Sequence, residues 1–534
     1  MNAKRMIRMG FLLTLSLALV VGLWGVLPVP VARAATITWD GGGDGSSWND
    51  PANWVGDAIP TSADEVVLDN SVVAGNYTVN LPGGAVTTAI AKLTITPAAG
   101  NTITLILPNT NTNNPGFNVG DAAAGTDDII LNEGAVLRNS SGASAGTGIA
   151  VNTTANGTLR INNGGRYIHN TIRANSGLVS QLSTVAGTET GVFEYDVPGT
   201  VSYSPSASNR TYGSLTLTRS EGAATYTTSG SNPLTIRGHF TINTDVTYSS
   251  SMSGAMNLGG DLTNNGAALT IPSSQAVNFN GTSAQTISGS GSIQFDGAVT
   301  INNAAGVTLG RDVAVNGTLT LTSGRLTLDD NNLTLGSAAS IGGTPDASKM
   351  VVATGSGELR KMFTGIGSFT FPVGDADGTA EYSPVTLNFT SGNFGYGAYA
   401  GVRLKNAKHP NNNSPTDYLN RYWTVTSSGI SDFQCDVTCT YADGDVNGSE
   451  ANIYGCVWDG TRWRQLSPNP VDADNNRFNG IVVSFSDFTG NQEGYTAVTL
   501  ASFAATPGAG TAGVLLALGL AVVIPLAAFL LRRR

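Results

Sequence analysis

Val277–Gly336 reads VNFNGTSAQTISGSGSIQFDGAVTINNAAGVTLGRDVAVNGTLTLTSGRLTLDDNNLTLG. Its units are short and alike: Val299-Thr300-Ile301, Val307-Thr308-Leu309, Leu319-Thr320-Leu321, Leu333-Thr334-Leu335. Alternation with period two puts aliphatic side chains on one face of a strand and threonine on the other. Asn302-Asn303, Asn316-Gly317 and Asn331-Asn332 separate the units. Asn and Gly accept the left-handed backbone that tight corners need. Short strands with turns and no helices admit a series of β-sandwiches or a parallel β-helix. The brevity of the strands, the monotonous Leu/Val/Ile face and Asn at corners, where amides can stack, favour a right-handed parallel β-helix.

The same pattern extends outward. Asn156–Ile161 recurs as Asn316–Leu321, and Gly213–Leu217 and Leu234–Ile236 are related pieces. At roughly 20–25 residues per coil, residues 36 to about 360 predict about 13–16 coils. A rise of ~4.8 Å per stacked strand makes that a rod of roughly 60–80 Å. Tryptophan brackets this body: Trp39, Trp48 and Trp54 precede it, and Trp423, Trp458 and Trp463 follow. Solenoids need atypical ends to cover an open core, so residues 35–70 are expected to cap the body at 71–360.

From about Lys361 the strands lengthen: Phe369–Val373, Pro384–Phe389, Tyr396–Leu404, Arg421–Thr426, Phe433–Tyr441, Ala451–Trp458, Ile481–Phe485 and Tyr495–Leu500. This spacing predicts an immunoglobulin-like β-sandwich over 361–502. Asp459-Gly460 suits the type I′ turn of a hairpin. The fold class expected is therefore all-β, a solenoid followed by a sandwich, with a helix at each terminus.

Both termini read as targeting segments. Lys4, Arg5 and Arg8, an apolar run from Gly10 to Val26, and Ala32-Arg33-Ala34 form a signal peptide over 1–34. Cleavage is expected after Ala34, the alternative being an uncleaved anchor. Gly513–Leu531 is an unbroken apolar run ending in Arg532, Arg533 and Arg534. That length suits a membrane-spanning helix, and a terminal Arg cluster stays cytoplasmic. A spacer over 503–512 precedes it. The layout of spacer, apolar helix and Arg tail 532–534 suits either an anchor or a sorting signal, although neither LPxTG nor Pro-Glu-Pro is present.

Charged residues make up 12% of the chain and Gly 67 of 534 residues, which speaks against both disorder and long surface helices. Setting aside the seven basic residues of the terminal segments leaves 20 basic against 37 acidic residues, a net of −17. That sign repels phosphate backbones and argues against a nucleic-acid partner.

Three regions carry candidate chemistry. Asp443, Asp445 and Asn447 match the first half of a calcium loop, but position twelve is Tyr454 rather than a bidentate Glu. An acidic β-turn is the alternative. No cofactor beyond this calcium candidate is indicated. Cys435, Cys439 and Cys456 are the only cysteines, and a hairpin turning near Gly444–Gly448 would pair Cys439 with Cys456. The carboxylates Asp127, Asp128, Glu133, Glu194, Asp196, Asp329 and Asp330 are scattered, whereas a glycosidase needs two at about 5–10 Å. His169 and His239 fall in no Ser-His-Asp order.

Val277–Gly336 resembles repeats in large secreted bacterial surface and adhesin-like β-helix proteins. The entry TWDGGGDGSSWNDPANWVGDAIPTSADEVVL (Thr38–Leu68) is similar to the start of autotransporter-like and sorting-signal surface proteins. YLNRYWTVT (Tyr418–Thr426) and YADGDVNGSEANIYGCVWDGTRW (Tyr441–Trp463) resemble the β-sandwich that follows such repeats. The chain departs from many of these proteins by ending in an apolar run rather than a secretion domain. The resemblance implies a non-enzymatic, cell-surface protein with a structural or adhesive role. Its expected contacts are the membrane, through Gly513–Leu531, and cell-envelope polysaccharide or other surface proteins. The alternative is a surface β-helix that binds or degrades polysaccharide.

Overall fold

The computed structural model describes residues 35–121, 127–142, 145–152, 157–199 and 202–492. The expected signal segment, the strand Tyr495–Leu500, the spacer and the apolar run Gly513–Leu531 lie outside the described residues. Among the described residues, no helix is long and apolar enough to cross a membrane.

The chain is all-β, and most of it winds into a parallel solenoid of about 12 turns. One sheet of fourteen strands runs the length of the solenoid from Tyr77–Asn80 to Val373–Asp375, with only its last pairing, to Glu381–Tyr382, antiparallel. Two further sheets flank it in the first turns, one starting at Thr36–Thr38 and one made of Thr88–Ile90, Phe117–Val119 and Ile149–Val151. A short helix, Ser176–Val179, interrupts them. Beyond it a seven-stranded sheet, Arg210–Tyr212 to Ile341–Gly343, and a fifteen-stranded sheet beginning at Ser202–Tyr203 take their places.

The turn count falls below the 13–16 expected because the early turns are longer. Side-chain hydrogen bonds between neighbouring turns join residues 30 or 31 positions apart near Asn101 and Asn162, but only 20 to 25 apart in the later half. At ~4.8 Å per stacked strand the rod is about 55–60 Å long.

Alternation decides which side chains enter the core. Leu215, Phe240, Leu262, Ile287 and Leu309 pair in register from turn to turn and are all buried. Each contributes about 1.5–3 kcal/mol of hydrophobic burial. The residues between them face outward. One column reads Thr211, Thr235, Asn257, Asn278, Thr300 and Thr320.

The corner asparagines act locally more often than as a ladder. Asn111, Asn264 and Asn303 are fully buried. Each accepts from the amide two residues on through Oδ1 and donates twice through Nδ2. This satisfies corner groups that a buried turn would otherwise strand. Amide-to-amide steps occur singly, from Asn101 to Asn70, from Asn162 to Asn132 and from Asn278 to Asn257.

Trp39, Trp48 and Trp54 are fully buried and pack edge-to-face at 4.7–4.9 Å between ring centres, with Trp48 against Phe117. Three indoles thus fill the first turns, where small residues would leave a void.

The rod passes into an antiparallel unit through a shared strand. Leu359–Met362 pairs in parallel with Leu333–Leu335 and antiparallel with Val385–Lys405. Lys361, where the sequence changes character, lies in this strand and donates to the carbonyls of Gly336, Ser337 and Ala339. Val385–Lys405 and Tyr422–Thr440 are single strands of 21 and 19 residues. The sequence reading divides each in two; Gly392 and Gly429 lie in the gaps and Gly397 within Tyr396–Leu404. In the fold these glycines have positive φ, and the pairing shifts register between Phe389 and Tyr399 while the ladder continues. The expected hairpin at Trp458 exists, with Trp458 opposite Trp463. Asp459 and Arg462 close its loop, and Gly460, at φ +96°, is the first central residue of the turn. No non-glycine residue of the loop has positive φ, so the type I′ geometry expected for Asp-Gly is not adopted.

Candidate functional site

Asp443, Asp445 and Asn447 do not come together as calcium ligands. Asp445 is buried and turned onto Arg421. Asp443 takes the amide of Asn476, and Asn447 sits on a strand paired with Tyr418. Among the described residues, no group of three or more His, Cys, Asp or Glu side chains could hold a metal. A guanidinium occupies the centre of the acidic cluster instead. Arg421 is fully buried, with Nε 2.5 Å from Asp445, Nη1 2.6 Å from Asp375 and Nη2 on Glu381. Asp375 lies in the last strand of the continuous solenoid sheet, Glu381 in the strand that turns back on it, and Asp445 in the antiparallel unit. Burial raises the carboxyl pKa values of Asp445 and Glu381, and Arg421 works against that rise.

Cys439 and Cys456 are not partners. Cys439 stands opposite Val385 and Phe478, whereas Cys456 stands opposite Gln465 and Thr489. All three cysteines are buried free thiols. Burial pushes Cys435 and Cys456 up to about 12 and Cys439 well above its ordinary value, so none is poised as a nucleophile.

The carboxylates that a glycosidase would need are mostly engaged. Glu194 and Asp196 share one side of strand and corner, but Arg166 neutralises the first and Arg138, at 3.2 Å, the second. Asp127 accepts from Arg160 and Thr158. Asp330 receives the amide and hydroxyl of Ser356, and Asp329 sits at φ +49° in a corner. Asp128 is buried and takes the Asn152 amide, and burial lifts its pKa to about 6. The groove lined by Thr87, Pro115, Asn118, Gly120, Ala150, Val151 and Asn152 holds no titratable side chain.

Where the two flanking sheets are interrupted, a polar and aromatic cluster fills the core. His169, Arg173, Tyr195 and Tyr212 are buried. Tyr203 Oη lies 2.8 Å from His169 Nε2, and Tyr195 Oη lies 3.0 Å from Tyr212 Oη. Arg173 donates Nη1 to the carbonyls of Asn113 and Thr147. Burial lowers the His169 pKa to about 4, which keeps the ring neutral. These buried side chains fill the core where small apolar residues would leave a void.

An open polar row lies on the outer face of the antiparallel unit. Register aligns Arg403 with Thr424, Thr424 with Asp487, and Trp458 with Trp463. Val457 opposes Phe488, which sets Trp458 beside Asp487. The core-facing neighbours Val402, Leu404, Trp423, Val425 and Phe488 hold this row outward. Asp487 accepts from Thr424 Oγ1 at 2.6 Å and from His409 Nε2 at 3.1 Å, and its side chain stays 26% exposed. The Asn411 amide donates to His409 Nδ1, which fixes the ring. His409 packs edge-on against Tyr422 and Trp463. Sequence reading missed this row because its members come from four separate strands and match no motif. No family model, no curated protein and no solved structure matches this chain.

Proposed function

We propose that the protein is a non-enzymatic, surface-displayed rod with a structural or adhesive role, of the kind its repeats resemble. In this reading segment 1–34 exports the chain, and Gly513–Leu531 anchors it to the membrane or passes it to a sorting step. An immunoglobulin-like sandwich joins rod to membrane, a reading supported by the antiparallel strands between Gly367 and Asn491. The observation that carries the proposal is the shared strand Leu359–Met362. It makes one hydrogen-bonded body of the solenoid and the unit next to the C-terminal apolar run. The test is protease shaving of intact cells followed by mass spectrometry. Surface display releases solenoid peptides before lysis and leaves a mature terminus at Ala35. Peptides that appear only after lysis would sink the reading.

Polysaccharide binding is the second reading, favoured by the outer row from Arg403 to Trp458. The degrading version predicts turnover of a glycan panel by the purified protein. The pairing of Glu194 and Asp196 with arginines speaks against it.

A further inference from the structure

We infer that the outer row Arg403–Thr424–Asp487–Trp458 is a binding site for a short run of a uronic-acid-bearing polysaccharide. The inference rests on the surface-displayed reading and gives that surface a ligand class.

Arg403 makes no ion pair or hydrogen bond among the described residues, although it lies in a fold where most other cations near carboxylates are engaged. The Tyr422 hydroxyl makes no hydrogen bond either, and its ring lies close enough to Asp487 and Arg403 to feel both charges. The indole N–H of Trp458 is likewise unbonded and is not fully buried. The neighbouring Trp463 spends its N–H on the Asn411 carbonyl. Three unspent groups of different chemistry therefore converge on one face: a cation, a phenol and an indole edge. Between them sits a carboxylate whose orientation is set by Thr424 and His409.

Trp458, Asp487 and Arg403 each have a role in holding a sugar acid. Trp458, half-buried against Trp463 and His409, offers its unbonded indole N–H to a sugar oxygen and the rest of its exposed ring to the sugar's apolar side. Asp487, already oriented, accepts from ring hydroxyls in charge-assisted bonds. Arg403 offers a planar fork to a carboxylate. Its position at the far end from Trp458 sets the length of the ligand. Three strand steps of ~4.8 Å separate the two, about 15 Å, so the row fits a short oligosaccharide rather than one ring. The net charge of −17 outside the terminal segments repels a polyanion in general, so a sugar carboxylate would have to be held by Arg403 itself.

Calorimetry on the purified protein tests this. The probes are uronic-acid oligosaccharides of three to four units and the same oligosaccharides methyl-esterified, which keep ring and linkage but lose the charge. We expect the acids to bind at least tenfold more tightly than the esters. Arg403→Gln should remove that difference, and Trp458→Ala should abolish binding of both. Arg403→Gln is a surface change that leaves the core intact, so misfolding of the Trp458 variant does not blunt the test. Absence of binding across the uronic acids, equal affinity for acid and ester, or binding unchanged in both variants overturns the inference. Localisation by protease shaving is independent of these outcomes, so failure here is distinguishable from failure of the surface reading.

Discussion

Replacing Arg421 with methionine should be among the most damaging single changes in the antiparallel unit. The wild-type guanidinium is wholly enclosed and touches Asp375, Glu381 and Asp445, of which Asp375 and Asp445 are also buried. Removing one partner of a buried ion pair costs about 3–5 kcal/mol, because the other charge is left without compensation. Here three carboxylates lose one cation, so the upper end of that range applies near neutral pH. The loss should also depend on pH. Burial raises Asp445 and Glu381 in the wild type. A carboxyl whose folded pKa lies above its unfolded value binds its proton more tightly in the native state. Its contribution is therefore complete in acid, below the unfolded pKa, and is lost as pH rises through the folded pKa. Without Arg421 only the Ala442 amide still opposes burial at Asp445, the folded values climb further, and the penalty grows over a wider window above about pH 4. Each added unit is worth about 1.4 kcal/mol.

The assay is guanidinium denaturation of wild type and Arg421→Met near pH 4.5 and near pH 7.5, followed by tryptophan fluorescence, with hydrogen exchange locating the loss. The expected destabilisation is about 4–5 kcal/mol at the higher pH and markedly less at the lower. Adding Asp375→Asn and Asp445→Asn to Arg421→Met should recover part of it, since a cluster neutralised together leaves fewer stranded charges. A loss below about 1 kcal/mol, the size of a surface ion pair, or one equal at both pH values, would refute the argument.

Three other outcomes follow from the same geometry. His169, held neutral with its pKa lowered to about 4, contributes stability that is present above its unfolded value and lost as pH falls from about 6.5 toward 4. The full effect is about 3 kcal/mol, and a His169→Gln variant with the same acid profile as wild type would count against it. Cys435, Cys439 and Cys456 should resist a thiol reagent in the native protein and all react in denaturant, as free buried thiols do. Mass spectrometry showing a single labelled cysteine after denaturation would restore the disulfide. Gly324→Ala should destabilise by more than about 1 kcal/mol, because Gly324 has φ +76° and a Cβ there would run into the Asn303 carbonyl. Unchanged thermal unfolding of that variant would show that the corner can relax.

What the sequence disclosed depended on how far apart the cooperating residues lie. A Leu-Thr-Leu strand carries its own orientation, so the inward and outward columns could be read directly. Corner asparagines could be read too, since their first bond goes two residues along the chain. Which of the solenoid's faces a strand joins could not, because Leu234-Thr235-Ile236 and Leu269-Thr270-Ile271 have the same pattern yet lie in different sheets. The long strands were read as pairs of shorter ones, whereas the ladder runs on through register shifts beside positive-φ glycines. Asp375, Glu381, Arg421 and Asp445 could not be assembled at all. Their association is a product of the chain reversing at the end of the rod, and the Asp-rich stretch at 443–447 reads as a cation site until the cation proves to be a side chain.

The position of the Arg421 cluster bears on how a rod could carry load. Among the features that join solenoid to antiparallel unit are the strand Leu359–Met362, hydrogen-bonded to both, and the guanidinium that binds Asp375 of the solenoid to Asp445 beyond it. A linker of Gly and Ser would let the two swing independently. A shared strand does not, because a hinge would have to break ladder hydrogen bonds on one side of it. The ligand-binding row proposed here runs across the same sheet, from Arg403 on the strand next to Leu359–Met362. A tether pulled at that row would therefore load the backbone ladder and the buried ion cluster in parallel, so that loss of Arg421 should shift load onto the Leu359–Met362 ladder rather than free the unit.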